Sequence, residues 1–240
     1  ILVVGLWSHG DRGGNGSGPG LSPDETGQMM MTKSADDGVT WSPPVNITRK
    51  IAGRDPKWHL CFQGPGKGIQ LQDGTLVFAA QIRDAESVYH SCFIYSHDGG
   101  DNWAISPMAI PTAPPTSESQ IAQLPDGSLL LSMRDESRSG QRLWARYDWK
   151  GSLADGHWSK PWRALSDPTC MASLISLPSG ELVFSNCDSA KDRVNMTIHI
   201  SRDGGHAWSA GRLLDPRPCA YSCLTALADG RIGILYEAGD

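Results

Sequence analysis

The frame S-x-D-x-G-x-x-W occurs three times in this chain, and no other feature limits the possible folds so strongly. The copies are Ser34-Ala35-Asp36-Asp37-Gly38-Val39-Thr40-Trp41, Ser96-His97-Asp98-Gly99-Gly100-Asp101-Asn102-Trp103 and Ser201-Arg202-Asp203-Gly204-Gly205-His206-Ala207-Trp208. Each reads as a tight turn between two strands. The Asp bonds back to nearby backbone N–H groups, Gly supplies positive φ, and Trp packs the turn onto the strands. A degraded copy is expected at Ser152-Leu153-Ala154-Asp155-Gly156-His157-Trp158, in the long gap between the second and third. A supersecondary unit repeated in this way decides the architecture before composition is consulted.

A second, independent repeat sets the period. Leu71-Gln72-Asp73-Gly74-Thr75-Leu76 matches Leu124-Pro125-Asp126-Gly127-Ser128-Leu129, Leu177-Pro178-Ser179-Gly180-Glu181-Leu182 and Leu227-Ala228-Asp229-Gly230-Arg231-Ile232. Its glycines stand at 74, 127, 180 and 230, so the steps are 53, 53 and 50 residues. An apolar run, a two-residue Asp-Gly-type turn and a second apolar run predict a β-hairpin. One hairpin of each kind gives about four strands per period, which fits an all-β propeller. A β-sandwich has hairpins but no such fixed period.

Composition agrees with this reading. Among 240 residues there are 27 Gly, 16 Pro and 9 Trp with 39% hydrophobic residues, as in a turn-rich all-β protein. No linker or charge block divides the chain, so residues 1–240 form one domain. The net charge of −5 argues against nucleic acid as a partner. There is no apolar run long enough to span a membrane, and the opening residues read as a strand and not as a signal peptide. The chain opens inside an expected strand at residues 1–7 and stops soon after another at 232–236. About four full periods and a partial one are present, and a closed propeller needs more blades, so the fold is expected to be incomplete at both ends.

Other features carry less. None of the six Cys (61, 92, 170, 187, 219 and 223) forms a C-x-x-C pair, and no Cys/His group has zinc spacing. Cys219 and Cys223 flank Tyr221 either as a disulfide or as two buried thiols. Asn46-Ile47-Thr48 and Asn195-Met196-Thr197 fit the N-glycosylation pattern, which matters only in a eukaryotic secretory protein. The run Met29-Met30-Met31 is expected to pack within a strand.

Propellers gather chemistry at one end of the central axis, where inner strands converge. Glu118, in Ser117-Glu118-Ser119-Gln120, stands eight residues before the turn residue Asp126; Tyr221 stands eight residues before Asp229. This equivalence predicts that both face the axis from inner strands. Arg134 ends the strand after Glu118, and Arg193 lies one blade later. Two guanidiniums can fork onto a carboxylate or phosphate. A carboxylate beside a Tyr can accept the phenol proton and make its oxygen a nucleophile. Together these residues read as an anion-binding enzyme site.

With these residues in view, the chain resembles the sialidases (exo-α-neuraminidases) over essentially its whole length. The S-x-D-x-G-x-x-W turn is similar to that family's Asp-box (BNR repeat). Gly64-Pro65-Gly66-Lys67-Gly68-Ile69-Gln70, Ser117-Glu118-Ser119-Gln120 with Leu131-Ser132-Met133-Arg134, and Ala220-Tyr221-Ser222 with Leu235-Tyr236-Glu237 also resemble the family. The resemblance implies a six-bladed β-propeller that cleaves terminal α-linked sialic acid with retention, without metal or cofactor. It implies Tyr221 as nucleophile and Glu118 as its base. Arg134 and Arg193 would be two members of an arginine triad on the substrate carboxylate, and Glu237 would hold the triad's first arginine. An acid/base Asp is expected shortly before the first Asp-box, at Asp24 or alternatively at Asp11, and Arg12 would be a further arginine near the substrate. The family's first triad arginine sits in an Arg-Ile-Pro motif that this chain lacks. Either that arginine lies upstream of Ile1, or the protein does without it and binds sialic acid more weakly. The implied partners are sialylated glycans, which suggests a secreted or periplasmic setting, or a lysosomal one in a eukaryote. A non-catalytic glycan-binding propeller and a trans-sialidase are the alternatives.

Overall fold

The computed structural model describes residues 1–11 and 16–239. The described secondary structure is almost wholly β, in four hydrogen-bonded sheets. The first holds β1 (Leu2–Trp7), β2 (Gln28–Lys33) and β3 (Val45–Asn46). The second holds β4 (Ile51–Ala52), β5 (Leu60–Gln63), β6 (Ile69–Gln70), β7 (Leu76–Arg83), β8 (Tyr89–Ser96) and β9 (Trp103–Ile105). The third holds β10 (Thr116–Gln123), β11 (Leu129–Asp135), β12 (Gln141–Lys150), β13 (Ser152–Trp158) and β14 (Trp162–Ser166). The fourth holds β15 (Ser173–Ser176), β16 (Leu182–Cys187), β17 (Val194–Ser201), β18 (Arg212–Ala226) and β19 (Ile232–Ala238). Nearly all pairings are antiparallel between strands adjacent in sequence, so each sheet is a meander, and successive meanders form the propeller-like series of blades.

The fifteen-residue β18 belongs to two blades. Residues 212–218 pair with β17, while residues 219–226 pair with β19. It leaves one blade as its outer strand and enters the next as its inner strand, the one that carries Tyr221.

The hydrophobic cores lie between blades. Val77 and Phe93 of the second sheet pack on Ile121, Leu129 and Tyr147 of the third; Leu130 and Trp144 of the third pack on Leu174 and Phe184 of the fourth. Trp144 is fully buried, and its truncation to Ala would cost about 3–5 kcal/mol. Met29 and Met31 are buried in the interface between the first two sheets, as their strand placement predicts. At the two ends of the series apolar side chains stand open, Val3 on β1 and Leu235 on β19.

Both sequence repeats are structural repeats. In each Asp-box the Ser hydroxyl donates to the Asp carboxylate and accepts from the N–H of the Gly four residues on, Gly38, Gly100 or Gly205. The Asp takes the backbone N–H of the residue before Trp, and the indole N–H donates to the Gly carbonyl at 3.0 Å in all three copies. The second repeat differs from expectation in one detail. Leu71 N–H donates to Thr75 O and Gly74 N–H to Leu71 O, which encloses three residues rather than two, and the other three copies repeat this pattern. Gly74 has φ +89° and Gly127 +87°, as the final residue of such a three-residue loop requires.

The expected degraded Asp-box is absent. Residues 152–158 form β13, the return strand of a hairpin with β12, and Trp158 donates its indole N–H to Pro107 O of the preceding blade at 2.8 Å. Ala154 stands where the box needs its Asp, so nothing gathers the backbone N–H groups into the turn.

Candidate active site

Glu118 and Tyr221 both lie in irregularities of their strands. The register of β10 against β11 shifts between Thr116 and Ser119, and that of β18 against β19 between Cys219 and Ser222. A bulge re-aims a side chain out of the sheet's alternation. Two bulges at equivalent places on two inner strands turn Glu118 and Tyr221 toward one another across the axis.

The Tyr221 hydroxyl donates to Glu118 Oε1. Arg134 Nη1 donates to Glu118 Oε2 at 2.7 Å and lies 3.5 Å from the Tyr221 hydroxyl. Burial, then the hydrogen bond and the charge of Glu118, push the Tyr221 phenol well above its ordinary pKa, and Arg134 opposes them without prevailing. At neutral pH the phenol therefore keeps its proton, with a carboxylate already placed to receive it.

Arg134 is gripped from both sides. Its Nε lies 2.9 Å from Glu136 Oε1, and Glu136 also accepts from the Ser117 hydroxyl. Burial weakens the guanidinium's hold on its proton, but Glu136 and Glu118 outweigh it and raise its pKa. Arg193 reaches the other side of Tyr221, its Cζ 5.9 Å from the ring centroid, and its Nη2 donates to Thr169 O at 3.5 Å. Glu237 Oε2 accepts the backbone N–H of Tyr221 at 3.2 Å, so it braces the Tyr main chain.

Pro65 and Gly66 complete one wall of the groove beside Tyr221, with Met171 and Glu237, and Gly64 leads into that wall. A Cβ on Gly64 would stand 2.6 Å from Ser119 O, and one on Gly66 2.6 Å from the Gln120 side chain. Only glycine lets this loop lie so close to the strand that carries Glu118.

Not every expected residue joins this group. Asp24 is on the surface, its side chain 93% exposed and 3.5 Å from His9 Nε2. Asp11 is exposed, and Arg12 lies outside the described residues. All six cysteines are free. Cys219 has Cys187, not Cys223, as its sulfur neighbour, at 3.3 Å, and these thiols pack with Cys170 behind Tyr221. Sequence reasoning did not single out Glu136 and Thr169. Glu136 stands in the turn one residue past the end of β11, and Thr169 lies between strands; neither had a local signal.

A family model described as a BNR repeat-like domain matches residues 16–234. A sialidase of Bacteroides fragilis (strain YCH46) is 41% identical over 99% of this chain and 45% of its own length. The chain belongs to the BNR-repeat sialidase family. A sialidase of Micromonospora viridifaciens is 35% identical over 95% of this chain and 36% of its own length. Among solved structures, a Hadza microbial sialidase superposes with a TM-score of 0.89 at 40% identity, covering 99% of this chain and 47% of that one. The chain thus spans less than half of the length of these sialidases. The family segments identified in the sequence, around Glu118, Arg134 and Tyr221, are those that meet on the axis.

Proposed function

We propose that this protein is a retaining exo-sialidase that hydrolyses terminal α-linked sialic acid from glycoconjugates. The observation that carries the reading is the Tyr221–Glu118–Arg134 cluster: a neutral phenol donating to a carboxylate, beside a guanidinium held by two acids. Most retaining glycosidases use an attacking carboxylate, and sialidases with a Tyr nucleophile depart from that scheme. Sialic acid bears a carboxylate on its reacting carbon, so an anionic nucleophile meets like charge. A phenol that loses its proton to Glu118 only as it attacks avoids this repulsion. Arg134 and Arg193 grip the substrate carboxylate. As the proton moves to Glu118, its negative charge passes to the Tyr221 oxygen, which faces the oxocarbenium-like transition state and stabilises it.

An Asp supplies the leaving oxygen with its proton and then activates water for the second half-reaction. Asp24 is assigned that role and Asp11 is the alternative; the exposure of both suits a group at the mouth of a cleft that substrate closes. Glu237 braces Tyr221 and would also hold the first arginine of the triad. In the whole protein six blades close the propeller and cover the apolar faces that carry Val3 and Leu235. The substrates are sialylated glycoproteins, glycolipids and oligosaccharides, which places the enzyme outside the cytoplasm.

The test is release of a fluorescent aglycone from an α-sialoside by the full-length protein. Turnover is expected in the parent, with kcat falling about 10⁴-fold or more in Tyr221→Phe. A parent that binds sialic acid without turnover is a glycan-binding propeller, not an enzyme.

A further inference from the structure

We infer that the buried Arg142–Asp167 pair and the Thr169 turn it secures are positioning elements for Arg193, acting without touching substrate. This rests on the sialidase reading and extends it to residues that neither sequence motif nor family resemblance marks.

Arg142 on β12 is fully buried, and Asp167 is 1% exposed; Arg142 Nη1 lies 3.4 Å from Asp167 Oδ2. The same guanidinium donates from Nε to Ser132 Oγ at 2.8 Å and from Nη1 to Cys170 O at 2.6 Å. Asp167 in turn accepts the Cys170 N–H at 3.1 Å. Both main-chain groups of Cys170 are therefore tied to the pair, which closes Asp167-Pro168-Thr169-Cys170 into a tight turn between two blades. A buried ion pair adds little net stability over apolar residues of the same volume. Its distinctive contribution is directional, because every group in a satisfied network has one arrangement.

That direction is used at Thr169. Its φ is +59°, an unfavourable value for a β-branched residue that persists only where the surroundings impose it. The turn so held aims two groups. Thr169 Oγ1 donates to Asp135 O at 3.1 Å, next to Arg134, and Thr169 O accepts from Arg193 Nη2. Arg193 is otherwise exposed on a long flexible side chain, and this carbonyl draws it to the Tyr221 ring. The rigid turn thus reduces the freedom Arg193 loses when it meets the substrate carboxylate.

Arg142→Met leaves a buried Asp unpaired and is a poor probe, since the chain need not fold. Thr169→Gly is the sharper one. Glycine accepts positive φ, so the fold is retained while the turn loosens and loses its bond to Asp135. In the full-length protein KM for the α-sialoside should rise about five- to tenfold, with kcat changed less than about twofold. In an Arg193→Ala background the same substitution should change KM by less than about twofold. An equal rise in both backgrounds, or a change in Tm alone, overturns the inference while leaving the sialidase reading intact. A parent without turnover overturns the sialidase reading and this inference together.

Discussion

The Asp-boxes and the Tyr221 cluster are built from similar materials, acids accepting hydrogen bonds beside an aromatic ring, yet they are assembled in opposite ways. Within a box every bond described above joins residues at most four apart in sequence. In the cluster the partners are 16, 87 and 103 residues apart. They also occupy opposite ends of the blades. Leu76, just after one hairpin turn, pairs with Ser96 at the start of a box, so boxes and hairpin turns share one end. Glu118 and Tyr221 stand eight residues back from those turns, at the other end of their strands. Local bonding makes the boxes repeatable and independent of one another. Long-range bonding makes the cluster depend on how the blade of β10 and β11 sits against the one that β18 enters.

This contrast predicts damage of two kinds. Glu118→Gln keeps the shape of the cluster but removes the proton acceptor, so kcat should fall about 10²–10⁴-fold with little change in Tm. If activity survives, Glu118 is only a brace for Arg134. Ser96→Ala should do the reverse. It orphans the buried Gly100 N–H, which accounts for about 1–3 kcal/mol of stability, while kcat/KM stays within about twofold in the molecules that remain folded. A loss of activity beyond the loss of folded protein would mean that box and axis are coupled.

The smallest effect concerns pH. Hydrogen bonds from the Thr40 side chain, Thr40 N–H and the Ser34 side chain lower the Asp36 pKa from 3.8 to about 2. The folded carboxyl thus binds its proton less readily than the unfolded one. Its contribution to stability is present above about pH 4 and disappears as pH falls toward 2. Asp36→Asn should flatten the dependence of unfolding on pH in that window, measured by denaturant titration at stepped pH. An unchanged slope would show that this box is open in solution.

How much was legible in the sequence follows the same division. The boxes and hairpins were readable because their chemistry is local, down to the glycines that need positive φ. Local reading also erred locally: residues 152–158 resemble a box by composition but lack the Asp that organises one, and the hairpin turns enclose three residues instead of two. On the axis, the pairing of Glu118 with Tyr221 was legible through the period, which placed both at one distance from their turns, and through the family resemblance. The bulges that aim them were not, since a bulge is a mismatch between two strands and neither strand shows it alone. Neither was Glu136, which stands in the turn just past β11, where strand alternation no longer applies. Thr169 was not, because its role depends on a buried arginine from another strand. Asp24 was chosen by its distance in sequence from the first Asp-box, and its side chain lies on the surface beside His9.

The central claim, that Tyr221 attacks the sugar, is tested most directly by trapping. A sialic acid with fluorine at C2 and C3 loses the C2 fluoride to the nucleophile, and the C3 fluorine slows hydrolysis of the resulting bond. Intact mass and peptide mapping of the full-length protein should show one sugar per chain, attached to Tyr221 and absent from Tyr221→Phe. A label on Glu118 or another carboxylate, or turnover with no trapped adduct, would contradict the account.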